Sequence, residues 1–310
     1  MNGNGNYNDG NNKISTKFAQ DQWTTISNNS EFNYVSARQD PNIIKPKKLL
    51  IHLVLFVLTF LTTWNIGGLG YSVSIMTILF AHEMGHYLMC RKYKIKATLP
   101  FFLPFPFREL NPFGTLGAVI RIGERLPTRK SIFDIGVAGP LSGLIFTVPV
   151  LIIGLKLSTI VETNSIDPTI FRLGESLLFA QLSEFILGHI PEGYEIMLHP
   201  VAYAGWVGLF VTALNLLPVG QLDGGHVLYA LFGKRSDLIF KVVLSIFAIF
   251  SAIWYPGWFL FIILIIWFGY RHPPALYGGE KLDTKRKIIG YITFVIFILS
   301  FTPVPFYFNY

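Results

Sequence analysis

Residues 82–86 read His-Glu-Met-Gly-His and close the apolar run "YSVSIMTILF" of residues 71–80. In a helix, positions four apart share a face about one turn apart, so His82 and His86 point the same way with Glu83 beside them. That spacing suits zinc. Two imidazole nitrogens hold the ion and the adjacent carboxylate takes a proton from water. An unpaired ionisable side chain within lipid costs about 2.5–3.5 kcal/mol on insertion scales. Three in five residues therefore require an interaction that offsets the cost.

A zinc site of this kind needs a third protein ligand and one open position. The stretch "NLLPVGQLDGGH", residues 215–226, offers Asp223 where Pro218, Gly220, Gly224 and Gly225 should unwind a helix. Its charge also complements a dication in a low-dielectric setting. The two segments together, with "GPLSG" at residues 139–143 between them, resemble the site-2 protease family of intramembrane zinc metalloproteases over roughly residues 50–235. The resemblance implies that His82, His86 and Asp223 bind one Zn²⁺ per chain, that Glu83 is the general base, and that a transmembrane protein is cleaved within the membrane. It is to a compact form, because no segment is long enough for an inserted PDZ domain. A metal-ion transporter using the same His/Asp site is the alternative.

Other residues fill out the chemistry. Asn215, in the resembling motif, is a candidate donor to the oxyanion of a tetrahedral intermediate, with an interhelical hydrogen bond or a cap as the competing role. A transmembrane substrate hides its peptide bonds inside its own helix, so an enzyme must pair with exposed backbone. In "FGTLGAVI", residues 113–120, Gly114 and Gly117 permit close approach and Leu116 and Val119 flank the pairing edge; these four are the candidate substrate-binding residues. His226 reads as a residue supporting a ligand or a cap, and Cys90 as a structural thiol. Gly139, Pro140 and Gly143 read as a site of tight packing or a kink.

The elements that must position these groups are membrane helices. Of 310 residues, 52% are hydrophobic, 15% aromatic and 14% charged, with a net charge of +7. This composition departs from that of a soluble globule. The basic residues sit beside apolar runs, where orientation in a bilayer explains them better than nucleic acid does. With Cys90 as the single cysteine, no intrachain disulfide exists. Apolar runs predict spans at 49–66, 70–90, 132–155, 200–218, 238–254, 257–270 and 288–303, with a turn at Pro256-Gly257. The fold class is thus all-α polytopic, with six to seven transmembrane helices. Four prolines between Pro100 and Pro112 interrupt it with a membrane-associated β-hairpin or re-entrant segment. The positive-inside rule puts the N-terminus in the cytoplasm and, with seven spans, residues 156–199 and the C-terminus outside. Three regions follow: an Asn/Gly-rich disordered tail over 1–44, a protease core over 45–235, and further helices over 236–310 to which the resemblance assigns no role. The absence of a targeting segment favours a prokaryotic plasma membrane.

Overall fold

The computed structural model describes residues 46–123, 125–163, 172–269, 275 and 280–307. The expected tail over 1–44 lies outside them. The chain is mostly helical, as expected. Helices α1 (Pro46–Lys92), α2 (Arg129–Leu157), α3 (Leu177–Leu187), α4 (Pro200–Leu216), α5 (Asp223–Phe232), α6 (Ser236–Ile253), α7 (Trp258–Gly269) and α8 (Thr284–Ser300) alternate with short strands. These are β1 (Phe101–Pro104), β2 (Thr115–Val119), β3 (Thr159–Glu162), β4 (Arg172–Leu173), β5 (Tyr194–Met197) and β6 (Phe306–Tyr307).

Among the described residues, three helical segments are long and apolar enough to cross a membrane: Leu49–Lys92, Arg129–Leu157 and Asp223–Ile253. The first is a hairpin. Gly68 has φ 76° and ψ −176°, in a region open essentially to glycine alone. Across this break the Ser72 hydroxyl donates to the Phe60 carbonyl (2.8 Å) and lies 2.7 Å from Thr63 Oγ1. Twelve residues of straight helix would hold Ser72 and Phe60 about 18 Å apart. The chain therefore folds back on itself at Gly68, between the apolar runs at 49–66 and 70–90.

Side chains facing away from the bundle are apolar over long stretches: Leu50, Leu53, Val57 and Leu61 on α1, Ile246, Ile249 and Ile253 on α6, and Leu260, Ile263 and Trp267 on α7 are exposed. Such surface is compatible with lipid and not with water. The interior is aromatic. Trp206, 1% exposed, stacks on Phe210, and its indole N–H donates to the Gly174 carbonyl (2.7 Å).

The proline-rich stretch forms the expected hairpin. β1 pairs antiparallel with β2 in the register Phe101↔Val119, Phe102↔Ala118 and Pro104↔Thr115, with an irregularity before Pro104. It lies along the first half of α1, where His52 Nδ1 donates to the Pro100 carbonyl (3.0 Å) and the Phe56 ring meets Phe102 edge-on. His52 is thus a helix residue anchoring the hairpin.

A small layer follows α2, in which β3 pairs antiparallel with β5. β4 pairs with β6 near the C-terminus, and the Trp258 indole, just after the predicted turn at Pro256-Gly257, donates to the Pro303 carbonyl (2.8 Å). The segment before α3 and the start of α7 are thus both tied to the chain that follows α8.

Candidate metal centre

His82, Glu83 and His86 sit on the second half of α1, between 5% and 7% exposed. Helix α2 packs directly against them, and its glycines make this possible: a Cβ on Gly139 would collide with the His86 ring, and one on Gly143 would press on His82 at 3.3 Å. The "GPLSG" segment therefore serves close approach to the histidines. Its neighbour Ile135 supplies more. His86 Nδ1 lies 2.8 Å from the Ile135 carbonyl. A carbonyl only accepts, so Nδ1 carries a proton, and in the neutral imidazole that binds a metal Nε2 is then the lone-pair nitrogen.

Asp223 arrives from the break between α4 and α5. Pro218 disfavours helical backbone at Leu217, which caps α4 with ψ 126°, and the chain re-enters a helix at Asp223. Cβ atoms on Gly224 and Gly225 would meet the carbonyls of Leu216 and Gly220, so only glycine lets this turn close so tightly. Asp223 Oδ2 lies 3.3 Å from Nε2 of both His82 and His86, and the two Nε2 atoms are 3.1 Å apart. Ligands at 2.0–2.2 Å from a tetrahedral ion are about 3.3–3.6 Å from one another. The observed triangle has nearly those edges, and its donors are the imidazole and carboxylate set that zinc takes. Among the described residues this is the group of His, Cys, Asp and Glu side chains placed to hold a metal ion.

The remaining predicted residues divide. The Ile120 backbone N–H approaches the Glu83 carboxylate, which lies within electrostatic reach of His86 and Asp223. Asn215 Nδ2 is 3.3 Å from His82 Nε2, which brings its amide to the edge of the triangle. Ile120 follows β2 directly, so the hairpin ends at Glu83. Leu116 and Val119 are exposed at 61% and 49%. Gly117 has φ 95° with open space around it. Gly114 departs from the expectation: its close approach is to Thr62, Thr63 and Ile66 of α1, so it seats the hairpin on the helix. Cys90 is fully buried in an apolar cluster with Ile95 and Ile135, as a structural thiol would be. His226 packs beneath Asp223, where a Cβ on Gly136 would lie 2.9 Å from the His226 Cβ.

Reading from the sequence missed the Ile135 carbonyl and the Ile120 amide. Both are backbone groups, which leave no side-chain signal. The Gly139–Gly143 spacing was the available trace of the contact.

A family model described as "Peptidase family M50" matches residues 70–254, which include every residue of the triangle. Similar proteins include three from plants. The Arabidopsis thaliana protein named "Probable zinc metalloprotease EGY1, chloroplastic" is 32% identical over 86% of this chain and 46% of its own length. Its Oryza sativa subsp. japonica namesake is 30% identical over 86% of this chain and 44% of its own length. An Oryza sativa subsp. indica protein named "Probable zinc metalloprotease EGY2, chloroplastic" is 30% identical over 75% of this chain and 42% of its own length. The chain thus spans less than half the length of these relatives.

Proposed function

The chain belongs to peptidase family M50, and from that premise we propose that it is an intramembrane zinc endopeptidase that hydrolyses peptide bonds in or near transmembrane segments of membrane proteins. The observation that carries this reading is the His82–His86–Asp223 triangle, with edges of 3.1, 3.3 and 3.3 Å and Glu83 beside it, inside a lipid-compatible helical scaffold. The transporter alternative finds no support in the family or in the relatives' names.

We assign His82, His86 and Asp223 as ligands of one Zn²⁺ per chain. Zinc, when bound, supplies a Lewis acid that polarises the scissile carbonyl and acidifies water. Glu83 takes a proton from the attacking water and returns it to the departing amine. The Ile120 N–H holds the Glu83 carboxylate in place, and Asn215 donates its amide N–H to the developing oxyanion. The Ile135 carbonyl keeps the His86 tautomer fixed throughout.

Substrate backbone pairs with the outer edge of β2. Arg121 and Gly123 direct backbone groups toward β1, to Thr98 and Lys96, while the Ile120 N–H turns the other way, to Glu83. By strand alternation Ala118 shares the edge of Ile120 and Val119 faces β1. Ala118→Pro is expected to lower cleavage at least tenfold with zinc content unchanged, measured on purified protein. Cleavage at the wild-type rate would reject the strand as the substrate edge.

The membrane remains the proposed location, with the basic clusters at 91–96, 234–241 and 281–287 and the N-terminus on the cytoplasmic side. The relatives named above are chloroplastic by name, so a prokaryotic plasma membrane draws no support from them. The test of the function is reconstitution with a tagged single-span substrate. A fragment should appear with the wild type, vanish on chelation and return with added zinc. A fragment that survives full metal removal would reject the reading.

A further inference from the structure

Helices α6 to α8 follow the metal-site segments, yet α8 packs against α2, α4 and α5. One contact brings it close to the metal site. Arg286, in the first turn of α8, grips Asp134 of α2 with both faces of its fork: Nε to Oδ1 and Nη2 to Oδ2, each at 2.7 Å. The Asp134 side chain is 12% exposed and that of Arg286 26%, so the pair is only partly screened by solvent. Two further groups fix it. Tyr93, just beyond the C-terminal end of α1, donates its hydroxyl to Asp134 Oδ2 at 2.5 Å. Asp283, the N-cap of α8, accepts from the Arg286 backbone N–H and pairs with its guanidinium. Burial, with help from the Asp134 carboxylate, pushes the Tyr93 phenol up to about 12, so it remains a donor at neutral pH.

Asp134 therefore joins three elements at one carboxylate: the end of the helix bearing His82 and His86, the start of α2, and the start of α8. The residue after Asp134 is Ile135, whose carbonyl receives the His86 Nδ1 proton. Gly136 follows, packed beneath Asp223 and His226. On the zinc reading given above, we infer that Arg286 is a positioning residue: through Asp134 it sets where the Ile135 carbonyl stands, and so the direction of the His86 lone pair. The C-terminal helix then has a role in metal affinity as well as in packing. Lysine in its place would keep the charge but lose the two-pronged geometry.

The test uses the full chain in lipid nanodiscs and compares the wild type with Arg286→Ala, Arg286→Lys and Arg172→Ala. The last breaks the Arg172–Glu195 pair in the layer formed by β3 to β5, and so reports on loosening away from the metal site. Zinc affinity is read by competition with a chromophoric chelator, and ligand geometry by the visible spectrum of the Co²⁺-loaded protein. Loss of a group that orients a ligand typically weakens metal binding by 10–100-fold. Arg286→Ala should fall within about that range with an altered Co²⁺ spectrum, Arg286→Lys should lie between it and the wild type, and Arg172→Ala should match the wild type. Should Arg286→Ala fail to fold, Arg286→Lys alone decides, since its metal affinity must still fall below the wild type. Wild-type affinity in the Arg286 variants, with only thermal stability reduced, would overturn the inference and leave the zinc site standing. Failure of the wild type to bind zinc would instead overturn the reading on which it rests.

Discussion

Glu83→Gln is expected to lower cleavage of a tagged transmembrane substrate by about 10²–10⁴-fold while leaving zinc content at the wild-type level. Glutamine has nearly the same volume and can still accept the Ile120 N–H, so the packing of α1 against α2 and the hairpin is preserved. What it cannot do is take a proton. A thousandfold loss is about 4 kcal/mol of barrier, within what a positioned base supplies. The same substitution distinguishes an enzyme from a conduit, because moving an ion along a path of ligands does not require a base beside two histidines. Substrate processing at the wild-type rate would remove Glu83 from the mechanism.

Asp223→Ala is expected to weaken zinc binding by more than about 100-fold, beyond the loss typical of groups that only orient a ligand. Cleavage should fall with it. The stability of the fold offers an independent readout. Asp223 lies within 3.3 Å of two imidazole nitrogens that, in the metal-bound state, share its cation. A ligand that binds the folded state alone raises stability in proportion to the logarithm of its concentration over Kd. Added zinc should therefore raise the melting temperature of the wild type and not that of Asp223→Ala. Without zinc Asp223→Ala should be the less stable of the two, since it removes the common partner of two buried imidazoles. An equal zinc-induced shift in both proteins would exclude Asp223 as a ligand.

What the sequence disclosed follows from the range of each interaction. His82, Glu83 and His86 are legible because four-residue helical spacing is local, and Asp223 because Pro218 and the glycines around it announce a break in a helix. The hairpin between Pro100 and Gly123 was legible from the close spacing of Pro100, Pro104, Pro106 and Pro112, a density that no helix sustains. The fold-back at Gly68 showed as a gap between two apolar runs, but the glycine-only backbone that enforces it did not. The pairing of Asp134 with Arg286 crosses 152 positions and has no local trace. The direction of the β2 edge was illegible for another reason. Gly114 and Gly117 look alike in sequence, yet one is pressed against Thr62 and the other faces open space. Packing, and not residue type, separates them.

The central claim is that His82, His86 and Asp223 hold one zinc ion, with Glu83 outside its coordination. X-ray absorption at the zinc edge on purified, active protein tests this most directly. The expected result is one zinc per chain with a nearest shell of nitrogen and oxygen at about 2.0–2.2 Å, unchanged in Glu83→Gln. A sulfur shell at about 2.3 Å, which would bring Cys90 to the metal, or protein that is active without zinc, would contradict it.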